Sequence, residues 1–155
     1  MKRMFSVGLV FFAGFAFSCA TQSGNVSSVS LTDTRWVLVS INGKLVPEAG
    51  RELMREPFVV FQAGDKRLSG NGGVNNFFGS FQFDNDKLSI PPGIARTFMT
   101  GPGIEIEENF IQALGMINLY TIKERELILT KNGEIPVLLF RADSNGDTAK
   151  NSGVL

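Results

Sequence analysis

The stretch Gly70–Ser80, GNGGVNNFFGS, is the first candidate for chemistry in this chain, because glycine-rich loops can cradle phosphate groups. A dinucleotide-binding fingerprint that starts at Gly70 requires a third glycine where the sequence has Asn75. No helix is predicted after the stretch, and no lysine follows it as in a nucleotide-binding P-loop. Glycine accepts positive φ and asparagine tolerates left-handed conformations. The stretch is therefore predicted to be a structural corner that leads into a strand.

Three neighbouring carboxylates are the next candidates: Glu105, Glu107 and Glu108 could be drawn as an acid–base pair. However, residues two apart on a helix do not face each other. Acidic side chains in the first turns of a helix also interact favourably with the helix dipole, by about 0.3–1 kcal/mol each. We therefore expect all three glutamates on a solvated turn, with no catalytic role.

A second acidic cluster has the spacing of a calcium loop. Asp143, Asn145 and Asp147 match the first three ligand positions of an EF-hand. Thr148 stands where that loop requires glycine, and Val154 where it requires a bidentate glutamate. The sequence therefore predicts no metal site in this segment.

The composition excludes several further classes of function. The chain has no histidine, so the commonest general base and the commonest metal ligand are both missing. A serine–lysine or threonine–lysine catalytic pair stays open, although no segment indicates one. The formal net charge is zero, and no basic cluster favours nucleic acid. The sequence thus predicts no catalytic residues, no cofactor and no nucleic-acid partner.

The N-terminal residues differ in kind from the rest of the chain. Lys2 and Arg3 precede Met4–Phe17, a run of 14 residues without a charge. This run is shorter than the roughly 20 apolar residues that a membrane-spanning helix needs. A short basic region followed by such a run is typical of a secretory signal peptide, predicted here over residues 1–18.

The single cysteine, Cys19, stands where that signal should be cleaved. Residues 16–19, AFSC, resemble the bacterial lipobox, in which a small residue precedes a cysteine that becomes lipidated. The alternative is an ordinary signal cleaved nearby, which would leave a free thiol. We expect attachment to a membrane of the bacterial envelope through lipid on Cys19, in the outer membrane if the host is Gram-negative.

Three regions follow the predicted signal. Residues 19–33 comprise Cys19 and a small, polar segment that is predicted to be a flexible tether. Residues 34–141 carry the patterns of a folded domain. Residues 142–155 are polar and rich in glycine, serine and asparagine, which predicts a disordered tail.

The folded region is predicted to be mainly β (α+β). About eight antiparallel strands are indicated by alternating or apolar runs between turn signals: RWVLVSI, PFVVFQ, KRLSG, FGSFQF, KLSI, LYTIK, ELILT and PVLLF. In GIEIEENFIQALGMI the apolar residues instead recur at spacings of three and four, which predicts one helix: Ile106, Phe110, Ala113, Leu114 and Ile117. The strands flanking this helix carry enough apolar surface on one face to curl around it.

The phenylalanines of the folded region are sufficient to fill its core, and most are expected there: Phe58, Phe61, Phe77, Phe78, Phe81, Phe83, Phe98, Phe110 and Phe140. Because Phe77 and Phe78 are adjacent in a strand, their rings must point to opposite faces. One of the two is therefore a candidate to line an apolar pocket or a partner surface.

The order of these segments resembles the META domain family, also called the heat-shock HslJ-like domain. The resemblance extends over nearly all of residues 34–141. Its more specific parts are Trp36 in the first strand, the Gly-x-Asn-Asn-x-x-Gly motif and the Thr-x-Met element. The positions of the two motifs are Gly73, Asn75, Asn76 and Gly79 for the first, and Thr97 and Met99 for the second.

The resemblance implies an antiparallel sheet curled into an open or cracked barrel with one packed α-helix. It also implies a small, often exported or lipid-anchored protein that is linked to envelope stress or drug tolerance, with no settled biochemical activity. Members often carry a cysteine pair, apparently a disulfide, where this chain has Val74 and Thr100. We therefore expect Val74 and Thr100 to be neighbours.

Two functions are consistent with these observations. The first is a non-enzymatic, lipid-anchored accessory or stress-tolerance protein of the envelope, which acts through a protein partner. The second is a carrier or pilot-like chaperone that holds a small apolar ligand, an acyl chain or an apolar peptide, in the curled sheet. A similarity of such domains to lipid-binding pilot proteins of secretion systems supports the second function.

Overall fold

The computed structural model describes residues 29–133 and 136–143. The predicted signal peptide, Cys19, and all of the polar tail beyond Asp143 lie outside these residues. Within them the chain forms eleven strands and one helix, in the order β1 Arg35–Ile41, β2 Lys44–Leu45, β3 Phe58–Gln62, β4 Arg67–Asn71, β5 Asn76–Ser80, β6 Gln82–Asp84, β7 Lys87–Ser89, β8 Ala95–Arg96, α1 Ile104–Leu114, β9 Leu119–Lys123, β10 Glu126–Thr130 and β11 Pro136–Ala142.

All the strands belong to one antiparallel sheet. Its strand order is β6-β7-β9-β10-β11-β1-β3-β4-β5-β8, with β2 paired to β1. The sheet curls through 274° and leaves the barrel incomplete. Helix α1 packs against β1 and β11. The predicted mainly β fold, an antiparallel sheet curled into an open barrel with one packed helix, is confirmed.

The core lies between the helix and the concave face of the sheet. Phe110 of α1 stands edge-on to Phe77 of β5, with ring centroids 5.6 Å apart, and its centroid is 5.8 Å from that of Phe140 of β11. Phe61 and Phe81 form a second edge-on pair at 5.1 Å. These rings are completely or almost completely buried. Side chains therefore fill the interior of the barrel.

The folded part extends beyond residues 34–141 at both ends. Leu31, which the sequence placed in the tether, is buried, and its carbonyl accepts a hydrogen bond from Nε1 of Trp36 at 2.9 Å. Ala142, assigned from the sequence to the polar tail, pairs with Trp36 and is buried. Asp143 follows it and pairs with Arg35. Burial of one apolar residue at each end favours order there despite the polar composition.

Candidate functional site: a corner closed by a buried glutamate

The connection between β4 and β5 makes a tight corner. The side-chain oxygen of Asn71 accepts a hydrogen bond from the N–H of Gly73 at 2.8 Å, and the N–H of Gly72 donates to the carbonyl of Asn75 at 2.8 Å. Gly73 has a φ of 116°, which side-chain-bearing residues rarely adopt, and a Cβ there would lie 2.6 Å from Leu53. The local geometry therefore requires glycine at position 73.

The carboxylate of Glu107 reaches this corner from the first turn of helix α1. Its Oε2 accepts hydrogen bonds from the N–H of Asn75 at 2.6 Å and from the N–H of Val74 at 3.2 Å. Its Oε1 accepts one from Nδ2 of Asn75 at 2.9 Å. Two successive backbone N–H groups that converge on one oxygen form an anion-binding concavity. The corner thus binds an anion that belongs to the protein itself.

Burial of Glu107 contradicts the expectation that all three glutamates are solvated. Glu107 is 1% exposed, whereas Glu105 and Glu108 are exposed. The sequence contained a signal for this difference. Glu107 precedes Phe110 by three positions and Leu114 by seven, and therefore lies on the apolar stripe of the helix. A charged residue on a buried stripe needs partners in the core, and the corner supplies them.

Asn75 connects the corner to the segment that follows β8. Its Oδ1 accepts hydrogen bonds from Oγ1 of Thr97 at 2.9 Å and from the N–H of Met99 at 2.7 Å. Its Nδ2 donates to the carbonyl of Met99 at 3.0 Å and to Glu107. The buried amide therefore uses both of its donors and both acceptor positions. Glu107 positions Asn75, and Asn75 positions residues 97–99.

Arg96 provides the positive charge that faces the buried carboxylate. Its Nη1 lies 3.5 Å from Oε1 of Glu107, and its Nη2 lies 3.9 Å from Oε1 of Glu108. Arg96 is partly exposed, so solvent screens these ion pairs. Both oxygens of Glu107 are already engaged by the corner and by Arg96. The cluster therefore suits a fixed architectural role better than proton transfer.

The structure brings together five of the motif residues that the sequence singled out. Gly73, Asn75, Asn76, Thr97 and Met99 surround the corner, where Nδ2 of Asn71 donates to Oδ1 of Asn76 at 2.9 Å. The other two lie apart from the corner. Trp36 lies in the core, and Gly79 in β5 faces Ile94 and Leu68.

Val74 and Thr100 lie in the two segments that Asn75 joins. Val74 is completely buried, and Thr100 is exposed. Met99, just before Thr100, is bonded to Asn75, and a Cβ on Gly101, just after it, would lie 3.8 Å from Cγ1 of Val74. The expected proximity of Val74 and Thr100 stays a prediction that this arrangement supports.

Phe98 is not a core residue, contrary to the expectation for most phenylalanines. It is 93% exposed. On either side of it, the hydroxyl group of Thr97 and the backbone N–H of Met99 are bonded to Asn75, and the ring between them points into solvent. Of the two adjacent phenylalanines in β5, Phe77 is buried and Phe78 is 46% exposed, as predicted.

Phe98 belongs to an exposed apolar surface, which we call the apolar end: Met54, Phe98 and Met99. Met54 connects its parts, because its N–H donates to the carbonyl of Pro102 at 3.3 Å and its sulfur covers Gly101. The N–H of Arg55, the next residue, donates to the carbonyl of Gly73 at 3.0 Å. The apolar end therefore lies directly over the corner.

Two open surface grooves flank Leu45. One, of about 320 Å³, lies between the β1–β2 hairpin and helix α1 and is lined by Leu45, Val46 and Ile106, among others. The other, of about 600 Å³, has Leu38, Val46 and Pro57 among its apolar residues. Glu48 and Glu52 also line the second groove.

Within residues 29–133 and 136–143, no group of three or more histidine, cysteine, aspartate or glutamate side chains could hold a metal ion. In the same part of the chain, no helix has the length and apolar character needed to cross a bilayer.

Comparisons with known proteins agree with this architecture. The family model described as the META domain matches residues 29–144. An NMR structure of a protein from Burkholderia xenovorans has a TM-score of 0.57 and 26% identity, covering 74% of this chain and 84% of that one. A second NMR structure has a TM-score of 0.54 and 22% identity, covering 73% and 94%. No curated protein matches the chain.

Fold and site together define a small open-barrel domain whose corner is fixed by a glutamate from helix α1. The family model matches most of the chain and therefore identifies the family to which this domain belongs. The chain belongs to the META domain family.

Proposed function

We propose that this protein is a non-enzymatic, lipid-anchored accessory protein of the bacterial envelope that acts by binding. This proposal is based on the structural role of the buried polar cluster. The hydrogen-bonding groups of Glu107 and Asn75 hold the loop of residues 97–99 in place, and that loop presents Phe98 to the solvent. Such an arrangement favours a fixed contact surface over a reaction centre.

The lipid anchor is supported by the N-terminal sequence. Lys2 and Arg3, the apolar run Met4–Phe17 and then Cys19 have the order of a lipoprotein signal. Each buried methylene contributes about 0.8 kcal/mol to membrane binding, so two or more acyl chains hold a protein stably. Attachment would keep a domain with no basic field at the membrane.

Intact mass spectrometry of the protein from membranes of its host tests the anchor. We expect an N-terminus at Cys19 with acyl chains attached, and we expect Cys19→Ser to stay unprocessed and unacylated. Ser18→Thr is a matched conservative change that keeps a small residue at the cleavage site. A mature protein cleaved at another bond, with an unmodified Cys19, would contradict the anchor.

The role in envelope stress is supported by the family resemblance. Deletion of the gene should lower survival of the host under envelope stress, and wild-type protein should restore it. Cys19→Ser should fail to restore survival at an equal protein level, because the unprocessed variant keeps its signal peptide and lacks the lipid anchor. Full complementation by that variant would show that the anchor does not contribute to the role.

A carrier for a small apolar ligand is the second candidate, and the groove beside Leu45 is the observation that favours it. Its volume of about 320 Å³ is at the lower end for ligand pockets, and Val46 and Ile106 contribute apolar lining. Native mass spectrometry after exposure to a lipid extract tests this role. A bound mass that Ile106→Asp abolishes would support it, and a clean apo mass would contradict it.

A further inference from the structure

We propose that Asn42 is a site of spontaneous modification, at which the side-chain amide is lost and an aspartyl or isoaspartyl residue is formed. The described residues contain three Asn-Gly pairs, at positions 42–43, 71–72 and 132–133. An asparagine followed by glycine is open to this reaction, because glycine has no side chain to shield its backbone nitrogen. The three pairs lie in different surroundings, and those of Asn42 hinder the reaction least.

The reaction needs only water. The backbone nitrogen of Gly43 loses its proton and attacks Cγ of Asn42, so that an N–Cγ bond forms. The Cγ–Nδ2 bond then breaks, and Nδ2 leaves as ammonia after it takes up a proton. Water opens the resulting cyclic imide at one of its two carbonyl carbons. Addition at Cγ gives aspartate, and addition at the backbone carbonyl carbon gives isoaspartate, in which the chain continues through the former side chain.

Asn42 and Asn132 stand in the same type of turn. Both residues of each pair have positive φ, 49° and 77° at positions 42–43 and 59° and 77° at positions 132–133, as in the type I′ turns that join β-hairpins. Both asparagines are exposed. The dipeptide and the backbone conformation are therefore matched, and a difference in reaction rate has to come from other contacts.

Asn132 is held in place by Asn118. Nδ2 of Asn118 donates to Oδ1 of Asn132 at 2.8 Å, and the N–H of Asn132 donates to Oδ1 of Asn118 at 2.7 Å. Asn118 is itself fixed, because its N–H donates to the carbonyl of Thr130 at 3.0 Å and its carbonyl accepts from the N–H of Leu88 at 3.1 Å. To reach the backbone nitrogen of Gly133, the side chain of Asn132 must rotate and lose its bond to Asn118.

The side chain of Asn42 has no such restraint. Its N–H donates to the carbonyl of Val137 at 2.8 Å and holds the backbone, but within the described part of the chain its side chain makes no hydrogen bond. The hairpin is also short, since β2 pairs with β1 through two residues, whereas β10 pairs with β11 through five. A shorter hairpin opens locally at a lower free-energy cost. The side chain and the turn at Asn42 therefore reach the geometry of attack more easily.

Asn71, in the corner, is the most restrained of the three. It is 2% exposed, its Oδ1 accepts from the N–H of Gly73, and its Nδ2 donates to Asn76. The attacking nitrogen would be that of Gly72, which already donates to the carbonyl of Asn75 at 2.8 Å. Attack requires aligned atoms about 3–3.5 Å apart, so all these bonds would have to break together. We expect no reaction at Asn71 while the corner is folded.

Modification of Asn42 would change the groove between the β1–β2 hairpin and helix α1. Asn42, Lys44 and Ile106 are among the residues that line this groove of about 320 Å³. Aspartate adds a negative charge next to Lys44. Isoaspartate also lengthens the backbone of the two-residue turn between Ile41 and Lys44, and turn length sets the register of a hairpin. The modified groove is therefore more acidic, and its hairpin wall is less firmly paired. This proposal does not depend on the lipid anchor.

Peptide mass mapping of the purified protein tests the proposal after incubation at mildly alkaline pH in water labelled with heavy oxygen, because only residues that convert during the incubation take up the label. In urea the three sites should convert at similar rates. In the folded protein Asn42 should convert about three- to tenfold faster than Asn132, the factor that one hydrogen bond supplies. Asn71 should not convert detectably. Rates at Asn42 and Asn132 within about twofold of each other, or faster conversion at Asn132, would overturn the proposal.

Two variants of Asn118 isolate the effect of its side chain. Asn118→Ala removes both groups that hold Asn132 and leaves the backbone bonds of residue 118 in place. Asn118→Asp keeps the acceptor for the N–H of Asn132 and removes the donor to its side chain. Each should raise the rate at Asn132 by about three- to tenfold and leave the rate at Asn42 unchanged in the same sample.

The emission of Trp36, which is completely buried, reports whether each variant is folded. The comparison of Asn42 with Asn132 in the unmodified sequence needs no variant and holds if one of them does not fold. An unchanged rate at Asn132 in folded Asn118→Ala would contradict the restraint by Asn118. An equal rise at Asn42 would indicate a general loosening of the fold and would contradict it as well.

Discussion

Replacing the buried carboxylate tests the account of the corner most directly. In Glu107→Gln the side chain keeps its shape, and one oxygen can still accept from the N–H groups of Val74 and Asn75. The new amide nitrogen faces Nδ2 of Asn75, which lies 2.9 Å from the present Oε1, so a donor meets a donor. Loss of a hydrogen bond to a charged group costs about 1.5–3 kcal/mol.

The ion pair with Arg96 adds less to the cost. It is 3.5 Å long, and Arg96 is about one-third exposed, so its loss costs at most about 1 kcal/mol. We therefore expect Glu107→Gln to lower the free energy of unfolding by about 1.5–4 kcal/mol. Urea titration followed by the fluorescence of Trp36, the only tryptophan, measures this change.

Glu105→Gln is the matched control, because it makes the same chemical change in the same helical turn at an exposed position. It should cost at most about 1 kcal/mol, through the helix dipole. In Glu107→Gln the amide protons of Val74 and Asn75 should also exchange faster with solvent. If the two variants differ by less than about 0.5 kcal/mol, the carboxylate does not fix the corner, and the reasoning is refuted.

Three further predictions concern the same region and the core. Gly72→Ala should lower the free energy of unfolding by about 1–3 kcal/mol, because its Cβ would overlap Glu107. Gly64→Ala is the control: open space surrounds this position, so the change should be neutral or slightly stabilising. Thermal or urea unfolding measures both, and equal effects would contradict the close approach of Gly72 to Glu107. Phe110→Ala should cost about 3–5 kcal/mol, and Phe98→Ala less than about 0.5 kcal/mol in solution, since only the first ring is buried; the same titration compares them. The double variant Val74→Cys/Thr100→Cys should form a disulfide under mild oxidation, detected by peptide mass mapping, and two persistently free thiols would place these residues too far apart.

Periodicity in the sequence was sufficient to predict the longer elements. Strands β1, β3 and β10 and helix α1 each contain enough residues for an alternating or a helical pattern to be read. Strands β2 and β8 have two residues each, and two residues carry no period. They form because neighbouring strands offer free hydrogen-bonding groups, which is tertiary information.

The candidate site, too, was only partly predictable from the sequence. That Gly70–Ser80 forms a corner could be predicted from its glycines and asparagines. That Glu107 closes the corner could not be predicted from local preference, because a glutamate in a first helical turn is usually solvated. The exposure of Phe98 likewise depends on the hydrogen bonds that its two neighbours, Thr97 and Met99, donate to Asn75. Residue type predicts burial only on average, and distant partners decide the individual case.

The bonds from Glu107 to the corner also have a consequence for the order of folding. They join residues 32 and 33 positions apart in the sequence, so a long loop must close before they can form. The hairpin of β4 and β5 can pair early, but its corner acquires its final shape only when the helix docks. Loss of the carboxylate should therefore accelerate unfolding and leave the folding rate almost unchanged. The docking of the helix therefore completes the corner, and the loop that carries Phe98 becomes fixed at that step.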